Sequence, residues 1–244
     1  HTKFKENDDT EISEIICEEF IDGTMINVFK YKDKVCISTR SCLNANCRWS
    51  SNSTFDMLFK DCIDISKFEG IEQGVTLSFV IQHPENTIVK KYLKPALKLC
   101  VISKNIDNTI KIMDITETIE MIEKLNLDIS LPEQYKLTSM EEIYKKINQM
   151  DATDQGIIVK HYTNSIDNRS KFRNINYNNI KLLKGNTNNK MYLFFELRRT
   201  HNINEYLEYF PEDKELFEKY RLKLYEITSK LFNYYLELKV EKKI

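Results

Sequence analysis

Alternating apolar and polar residues mark the first part of the chain as β-structure. Residues 25–29 and 35–39 alternate on either side of a polar stretch at 30–34, which predicts a β-hairpin with its turn in that stretch. Runs of similar character predict strands at 76–82, 87–89, 97–103 and 109–114. Residues 156–160 are apolar and β-branched over a short length, which predicts a buried central strand.

Helix-start signals appear between these strands. Residues 53–60 predict a short helix that begins at a serine or threonine cap. Asp114, followed three residues later by Glu117, predicts the start of a second helix. Ser139 and Glu142 have the spacing of a capping box, in which each side chain accepts a hydrogen bond from the other residue's backbone N–H. The middle of the chain is therefore expected to be helical.

The last segment has the pattern of one long helix. Apolar residues recur every three or four positions there, at Leu216, Tyr220, Leu224, Ile227, Leu231, Tyr234 and Leu238. That spacing predicts an amphipathic helix. With only five glycines and four prolines in the chain, no flexible linker precedes it, and we expect it to be docked. The predicted domains are residues 1–203 and a C-terminal helical region, 204–244.

Composition limits the class of protein. The chain has 244 residues, of which 41% are hydrophobic and 30% charged, as in an ordinary globular protein. No run approaches the roughly 18 apolar residues of a membrane helix. The six cysteines are irregularly spaced with no Cys-x-x-Cys pair, which argues against a zinc ribbon and favours a reduced, intracellular and cytoplasmic location. Because the chain begins at His1, we expect an N-terminal part to be missing.

Charge is distributed unevenly. The formal net charge is −1, which does not by itself indicate nucleic-acid binding. Residues 157–200, however, contain nine lysines and arginines against Asp167 and Glu196. A local basic stretch in a neutral protein predicts one anion-binding face, and a solvated surface is the alternative.

Five short motifs follow one another in a particular order. They are Phe20-Ile21-Asp22-Gly23-Thr24, Ser38-Thr39-Arg40-Ser41, Phe79-Val80 with Pro84-Glu85-Asn86, Gln155-Gly156-Ile157-Ile158-Val159, and Lys171-Phe172-Arg173. Their order and spacing resemble the RNA-ligase branch of the covalent nucleotidyltransferases, especially phage-type RNA ligases and their relatives in large DNA viruses. The resemblance covers roughly residues 15–185. It implies an α+β fold, the ATP-grasp-like core of ligases and capping enzymes, with two mainly antiparallel sheets, flanking helices and a nucleotide cleft.

Three motif positions depart from the family pattern. Phe20 replaces the lysine that attacks the α-phosphate of a nucleotide in this family, while Val80 and Gln155 replace glutamates. Phenylalanine offers no nucleophile, and neither valine nor glutamine carries the charge that holds Mg²⁺. Lysine and arginine, which bind phosphate, remain in the last motif. The resemblance thus implies that anion binding is retained and covalent chemistry is lost.

We therefore expect an inactive RNA-ligase-like or capping-enzyme-like module that binds a nucleotide or an RNA 5′ end, a cap among the candidates, without a cofactor. We expect no catalytic and no metal-ligating residue. The expected binding residues are Phe20, Asp22, Gly23, Arg40, Phe79, Gln155, Lys160, Lys171 and Arg173. One alternative is an active RNA ligase with atypical motifs, which would need ATP or GTP and Mg²⁺. Another is a scaffold that reuses the fold to bind a protein partner. The setting would be the cytoplasm, including that of a virus-infected cell.

Overall fold

The computed structural model describes residues 15–49, 51–163 and 166–240. The chain divides into two compact units, His1–Asn178 and Asn179–Ile244. The first unit contains all of the strands in the described part of the chain, and the second is helical there. The predicted boundary at residues 203 and 204 falls within the second unit.

Two antiparallel sheets form the first unit. The larger sheet contains β2 (Thr24–Tyr31), β3 (Lys34–Thr39), β4 (Val75–Gln82), β5 (Ala96–Ile106) and β6 (Thr109–Ile112), in the spatial order β3-β2-β4-β5-β6. The smaller sheet contains β1 (Ile15–Glu19), β7 (Gln134–Tyr135), β8 (Gly156–Thr163) and β9 (Ile166–Arg173), in the order β7-β1-β8-β9. All neighbouring strands within each sheet are antiparallel. The predicted α+β fold with two antiparallel sheets is confirmed.

Helices accompany both units. They are α1 (Phe55–Cys62), α2 (Ile115–Lys124), α3 (Met140–Asn148), α4 (Ile175–Lys184), α5 (Lys190–Arg199), α6 (Ile203–Tyr209) and α7 (Lys214–Tyr235), the last continued by a π-helical turn at Leu236–Val240. No helix in the described ranges is long and apolar enough to cross a membrane.

The predicted hairpin is present, with a tighter turn than expected. The strands β2 and β3 extend to Tyr31 and from Lys34, so only Lys32 and Asp33 form the turn. Both turn residues have positive φ, 46° and 60°. That conformation is typical of the two-residue turns that match the twist of the flanking strands.

Of the helix starts predicted at Asp114 and Ser139, one has a complete capping box and the other has only part of one. At the start of α2, the Asp114 side chain accepts from the N–H of Glu117, and the Glu117 side chain accepts from the N–H of Asp114. This is a complete capping box. At α3, Ser139 accepts from the N–H of Glu142, as predicted. The Glu142 carboxylate, however, accepts from the N–H of Thr138, one residue earlier than predicted. Only half of the second capping box is therefore formed.

The predicted strand at 87–89 is wrong. These residues form an irregular loop, and the backbone N–H groups of Val89 and Lys90 donate to the Asp22 carboxylate at 2.9 and 2.8 Å. A carboxylate thus takes the place of a neighbouring strand as the hydrogen-bond acceptor.

The main core lies on one face of the larger sheet. Phe59, Phe68 and Phe79 are fully buried there, and their ring centroids lie 5.7–6.0 Å apart in tilted and edge-on contacts. Such contacts add to the hydrophobic effect. A separate, smaller core covers one face of the smaller sheet, where Ile143 and Ile147 of α3 pack against Ile157 and Val159 of β8. The strand register places Phe20, Ile158, Lys171 and Arg173 on the opposite face of the smaller sheet.

Candidate functional site

Phe20 lies where the chain passes from one sheet to the other. The strand β1 ends at Glu19 and β2 begins at Thr24, so the motif forms the connection between the two sheets. The N–H of Phe20 donates to the carbonyl oxygen of Gly156 at 3.0 Å, which continues the pairing of β1 with β8 by one residue. This backbone hydrogen bond fixes the position of Phe20, the residue at the place where the ligase-like motif has its nucleophile.

Strand register places Phe20 beside the basic motif, on the same face of the smaller sheet. Phe20 is beside Gly156, and Gly156 is paired with Arg173 on β9, while Lys171 lies two residues along the same strand. Paired residues in antiparallel strands share a face, and so do residues two apart. Because Gly156 has no side chain, the middle strand places no side chain between Phe20 and Arg173 along this row.

The Phe20 ring is in contact with both cations. Nζ of Lys171 is 5.2 Å from the ring centroid, and Cζ of Arg173 is 5.8 Å from it. Both distances are within the range of cation–π attraction. The ring is half-buried, whereas the two basic residues are exposed. This arrangement gathers two positive charges around an uncharged, non-nucleophilic group.

Both motif glycines are required by close backbone approach. Gly23 has φ of +150°, and a Cβ there would lie 2.2 Å from the carbonyl oxygen of Ile81. Gly156 has φ of +133°, and a Cβ there would lie 2.1 Å from the carbonyl oxygen of Phe172. Neither position tolerates a side chain without movement of the neighbouring strand. The two glycines therefore shape the site and do not need to contact a ligand.

Asp22 is an internal anchor. Its buried carboxylate accepts hydrogen bonds from the N–H groups of Val89 and Lys90 and from the hydroxyl of Tyr177 at 2.8 Å. Its backbone carbonyl accepts from the hydroxyl of Tyr92 at 2.9 Å. Burial, followed by the charge of Asp22, raises the pKa of both tyrosines, so both remain protonated donors. These bonds occupy Asp22 within the fold.

A small cleft of about 130 Å³ opens beside Phe20. Its lining includes Phe20 and Gln155, which were predicted for the site, as well as Glu19, Lys90 and Asp154. Ligand pockets typically measure about 300–1,000 Å³. The cleft can therefore enclose only part of a nucleotide.

Ion pairs neutralise carboxylates around this cleft. Nζ of Lys90 lies 2.6 Å from Asp154, and Lys98 pairs with Glu19. Burial lowers the pKa of Lys90, but the hydrogen bond to Asp154 and its charge outweigh burial, and the net shift is upward. Lys90 is thus held as a cation.

Glu19, Asp22 and Asp154, three carboxylates beside Phe20, are engaged by donors within the protein. Val80 and Gln155 supply no carboxylate, and the carboxylate of Asp22 is engaged by three donors. Within the described ranges, no group of three histidine, cysteine, aspartate or glutamate residues is placed to hold a metal. Magnesium is usually bound through one or two carboxylates.

Three predicted binding residues lie outside the group around Phe20. Phe79 is fully buried in the main core. Lys160 is buried with Glu18, 2.7 Å from Nζ to Oε1, and also donates to the carbonyl of Cys100 at 3.3 Å. Arg40 is exposed directly after β3, and in the described part of the chain it makes no contact with the Phe20 group.

The sequence interpretation missed Lys90, Tyr92 and Tyr177. Lys90 and Tyr92 both line the cleft, and Tyr177 fixes Asp22 from the start of α4. The basic pair Lys90-Lys91, directly after an apolar dipeptide and before a tyrosine, was the available signal for a functional loop. For Tyr177 the sequence offers no such signal, because its partner is 155 residues away.

Two solved ligases are similar in structure to this chain. A putative ATP-dependent DNA ligase from Aquifex aeolicus superposes with a TM-score of 0.54 at 18% identity, over 88% of this chain and 69% of the ligase. The fold is that of ATP-dependent ligases. A Naegleria gruberi RNA ligase, solved as a mutant with ATP and Mn, gives a TM-score of 0.48 at 13% identity. That match covers 64% of this chain and 48% of the ligase, so the chain matches about half of that enzyme.

At these identities the likeness concerns the fold alone. No protein-family model matches the sequence, and no curated protein matches it. This likeness therefore does not assign a function to the chain.

Proposed function

We propose that this chain is a catalytically inactive ligase-like module that binds a phosphorylated nucleotide or an RNA 5′ end without forming a covalent bond. The observation that carries the proposal is the group formed by Phe20, Lys171 and Arg173. It combines two exposed cations with an aromatic ring at the position where the ligase-like motif has its lysine. A cap is one form of RNA end within this proposal.

The argument for binding starts from charge and exposure. Lys171 and Arg173 are both exposed, and their charged groups lie 5.2 and 5.8 Å from the centroid of the same ring. Ammonium and guanidinium groups donate strong, charge-assisted hydrogen bonds to phosphate oxygens. The exposed part of Phe20 offers an apolar surface to the sugar or base next to that phosphate.

The size of the cleft favours an RNA end over an enclosed nucleotide. A cleft of about 130 Å³ leaves most of a nucleotide outside. Neither Lys171 nor Arg173 lines this cleft, so a ligand that presents its terminal phosphate to them lies on the exposed surface beside Phe20 and extends outward.

Binding of labelled RNA to alanine variants tests the proposal. Lys171→Ala and Arg173→Ala should each weaken binding of 5′-phosphorylated RNA at least about tenfold, since a charge-assisted hydrogen bond contributes about 1.5–3 kcal/mol. Lys34→Ala, which removes an exposed lysine at the tip of the hairpin, is the matched control and should change little. Fluorescence anisotropy with 5′-phosphorylated, 5′-hydroxyl and capped RNA would identify the preferred end. Unchanged binding in both site variants would exclude this site.

An active ligase is the second candidate. It is favoured by two lysines close to Phe20, namely Lys171 against the ring and Lys90 in the cleft lining. Mass spectrometry after incubation with ATP or GTP and Mg²⁺ separates the two candidates. Covalent addition of a nucleoside monophosphate would support the ligase.

A further inference from the structure

One face of α7 carries a row of apolar residues, the seam, which extends beyond the part that packs against α5. Phe217 and Tyr220 pack against Phe194 of α5, with ring centroids 5.4 and 5.8 Å away. The same face of α7 then carries an apolar residue at alternating steps of three and four. From Phe217 onward the series is Phe217, Tyr220, Leu224, Ile227, Leu231, Tyr234 and Leu238. Such spacing over three heptads is the pattern of a coiled-coil seam.

The later part of this seam is exposed. Ile227, Leu231 and Tyr234 are 48%, 63% and 60% exposed, and Phe217 is the one fully buried residue in α7. Most of the stability of a helix in a protein comes from packing of its apolar face. A helix of 22 residues whose apolar face is exposed from Ile227 onward therefore offers that part of the face to another helix.

We propose that α7 pairs with α7 of a second copy of this chain as an antiparallel coiled coil. In the register that brings Leu224 opposite Tyr234 of the second copy, Ile227 lies opposite Leu231. Each large side chain on one helix then meets an apolar side chain on the other. The twofold axis repeats both layers, so the exposed seam of each helix is covered.

Charge selects the antiparallel arrangement. The residues that flank the seam on one side are Lys223, Lys230 and Glu237. In an antiparallel pair, these flanking positions on one helix face the same set of positions on the other helix. The register above therefore brings Lys223 close to Glu237 of the second copy, twice per dimer. A parallel pair would place Lys223 opposite Thr228. In the described part of the chain, neither Lys223 nor Glu237 makes an ion pair within one copy.

The same register contains one unfavourable contact. Lys230 lies near the twofold axis and faces Lys230 of the second copy, so their like charges repel. This feature gives a second way to recognise the arrangement. Lys230→Gln should strengthen an antiparallel dimer, whereas in a parallel pair Lys230 faces Tyr235 and its removal brings no such gain.

Analytical ultracentrifugation of the full chain tests whether the helix is the interface. The parent chain should dimerise below about 100 μM, and Leu231→Glu should be monomeric there, because it places a charge in the apolar seam. Asn233→Glu adds the same charge to the same helix outside the seam and should remain dimeric. Circular dichroism confirms that each variant is folded. A monomeric parent, or a dimeric and folded Leu231→Glu variant, would overturn the proposal.

Charge reversal tests the orientation without disturbing the apolar seam. Lys223→Glu and Glu237→Lys should each weaken the dimer roughly tenfold, since each turns two attractive pairs into repulsive ones. The double variant restores both pairs in opposite sense and should dimerise about as well as the parent. If the double variant dimerises no more tightly than the single variants, the antiparallel register is wrong.

Discussion

The hydroxyl of Tyr177 donates a 2.8 Å hydrogen bond to Oδ1 of Asp22, across 155 residues of sequence. Tyr177 and Asp22 are both almost fully buried. This bond connects the first helix after the smaller sheet to the connection between the two sheets. It therefore holds the segment that carries Phe20.

Loss of this hydrogen bond should destabilise the protein. In Tyr177→Phe, the Asp22 carboxylate keeps two backbone donors but loses the third, and the expected loss is about 1.5–3 kcal/mol of unfolding free energy. Urea denaturation followed by circular dichroism measures it. Tyr31→Phe, at a residue that is 55% exposed, is the matched control and should change stability by less than about 0.5 kcal/mol. Equal stability of both variants would show that Asp22 does not depend on Tyr177.

Substitution of Gly156 should be severe. In Gly156→Ala the new Cβ would lie 2.1 Å from a backbone oxygen, at a φ of +133° that side chains rarely adopt. The expected loss is at least about 3 kcal/mol, combining strain with displacement of β9. Gly70→Ala is the control, because its new Cβ meets only the end of the Leu125 side chain at 3.2 Å. Similar denaturation midpoints for the two variants would contradict this assignment.

The buried pair of Lys160 and Glu18 should matter more than an exposed one. In Lys160→Met the Glu18 carboxylate stays buried without its lysine, for which losses of about 3–5 kcal/mol are typical. Lys60→Met removes an exposed partner of Asp56 within α1 and should lose less than about 1 kcal/mol. The two variants should therefore differ clearly in thermal denaturation. A small effect at Lys160 would indicate that other groups compensate the Glu18 charge.

Local signals predicted most of the elements. The period-two pattern of 25–39 gives the hairpin, and Asp114 with Glu117 gives the start of α2, because each depends on neighbours within a few residues. The strand expected at 87–89 failed for the opposite reason. Its backbone donors bind Asp22, which lies 67 residues earlier, and no local pattern contains that information.

The site was predictable in part for the same reason. Phe20, Lys171 and Arg173 come together as the motif order implied, since strand register follows from the fold. Lys160 and Phe79 carry suitable side chains but point to partners elsewhere, Glu18 in one case and the aromatic core in the other. Whether a side chain serves the interior or a ligand is decided by tertiary packing, which the sequence does not display.

Stability should fall on the alkaline side. Burial is the main cause that raises the pKa values of Tyr92, Tyr135 and Tyr177, and it raises those of Cys62 and Cys100 to about 12. Groups with a raised folded-state pKa stabilise the fold fully below the unfolded-state pKa, about 8.5 for cysteine and about 10 for tyrosine, and this stabilisation is lost as pH rises.

Urea denaturation between pH 7 and pH 11 measures this effect. Each such group should contribute a slope of up to about 1.4 kcal/mol per pH unit above its unfolded pKa. The decline should therefore begin near pH 9 with the cysteines and steepen near pH 10. Tyr177→Phe removes one titrating group and should give a shallower decline. Constant stability up to pH 11 would argue against burial of these hydroxyls and thiols.

Restoring the missing lysine alone should not create an enzyme. In Phe20→Lys the new amine would lie beside Lys171 and Arg173, but Val80 and Gln155 would still provide no carboxylates for a metal ion. Neither the parent chain nor Phe20→Lys should gain the mass of a nucleoside monophosphate after incubation with ATP or GTP and Mg²⁺ or Mn²⁺. Intact-protein mass spectrometry measures this directly.

The triple variant Phe20→Lys, Val80→Glu, Gln155→Glu shows whether the carboxylates are what is lacking. If it gains the nucleotide while Phe20→Lys does not, the loss of activity is explained by the nucleophile and the two carboxylates together. An adduct on Phe20→Lys alone would show that the carboxylates are dispensable. An adduct on the parent chain would show that another lysine acts as nucleophile, and the protein would then be an active nucleotidyltransferase.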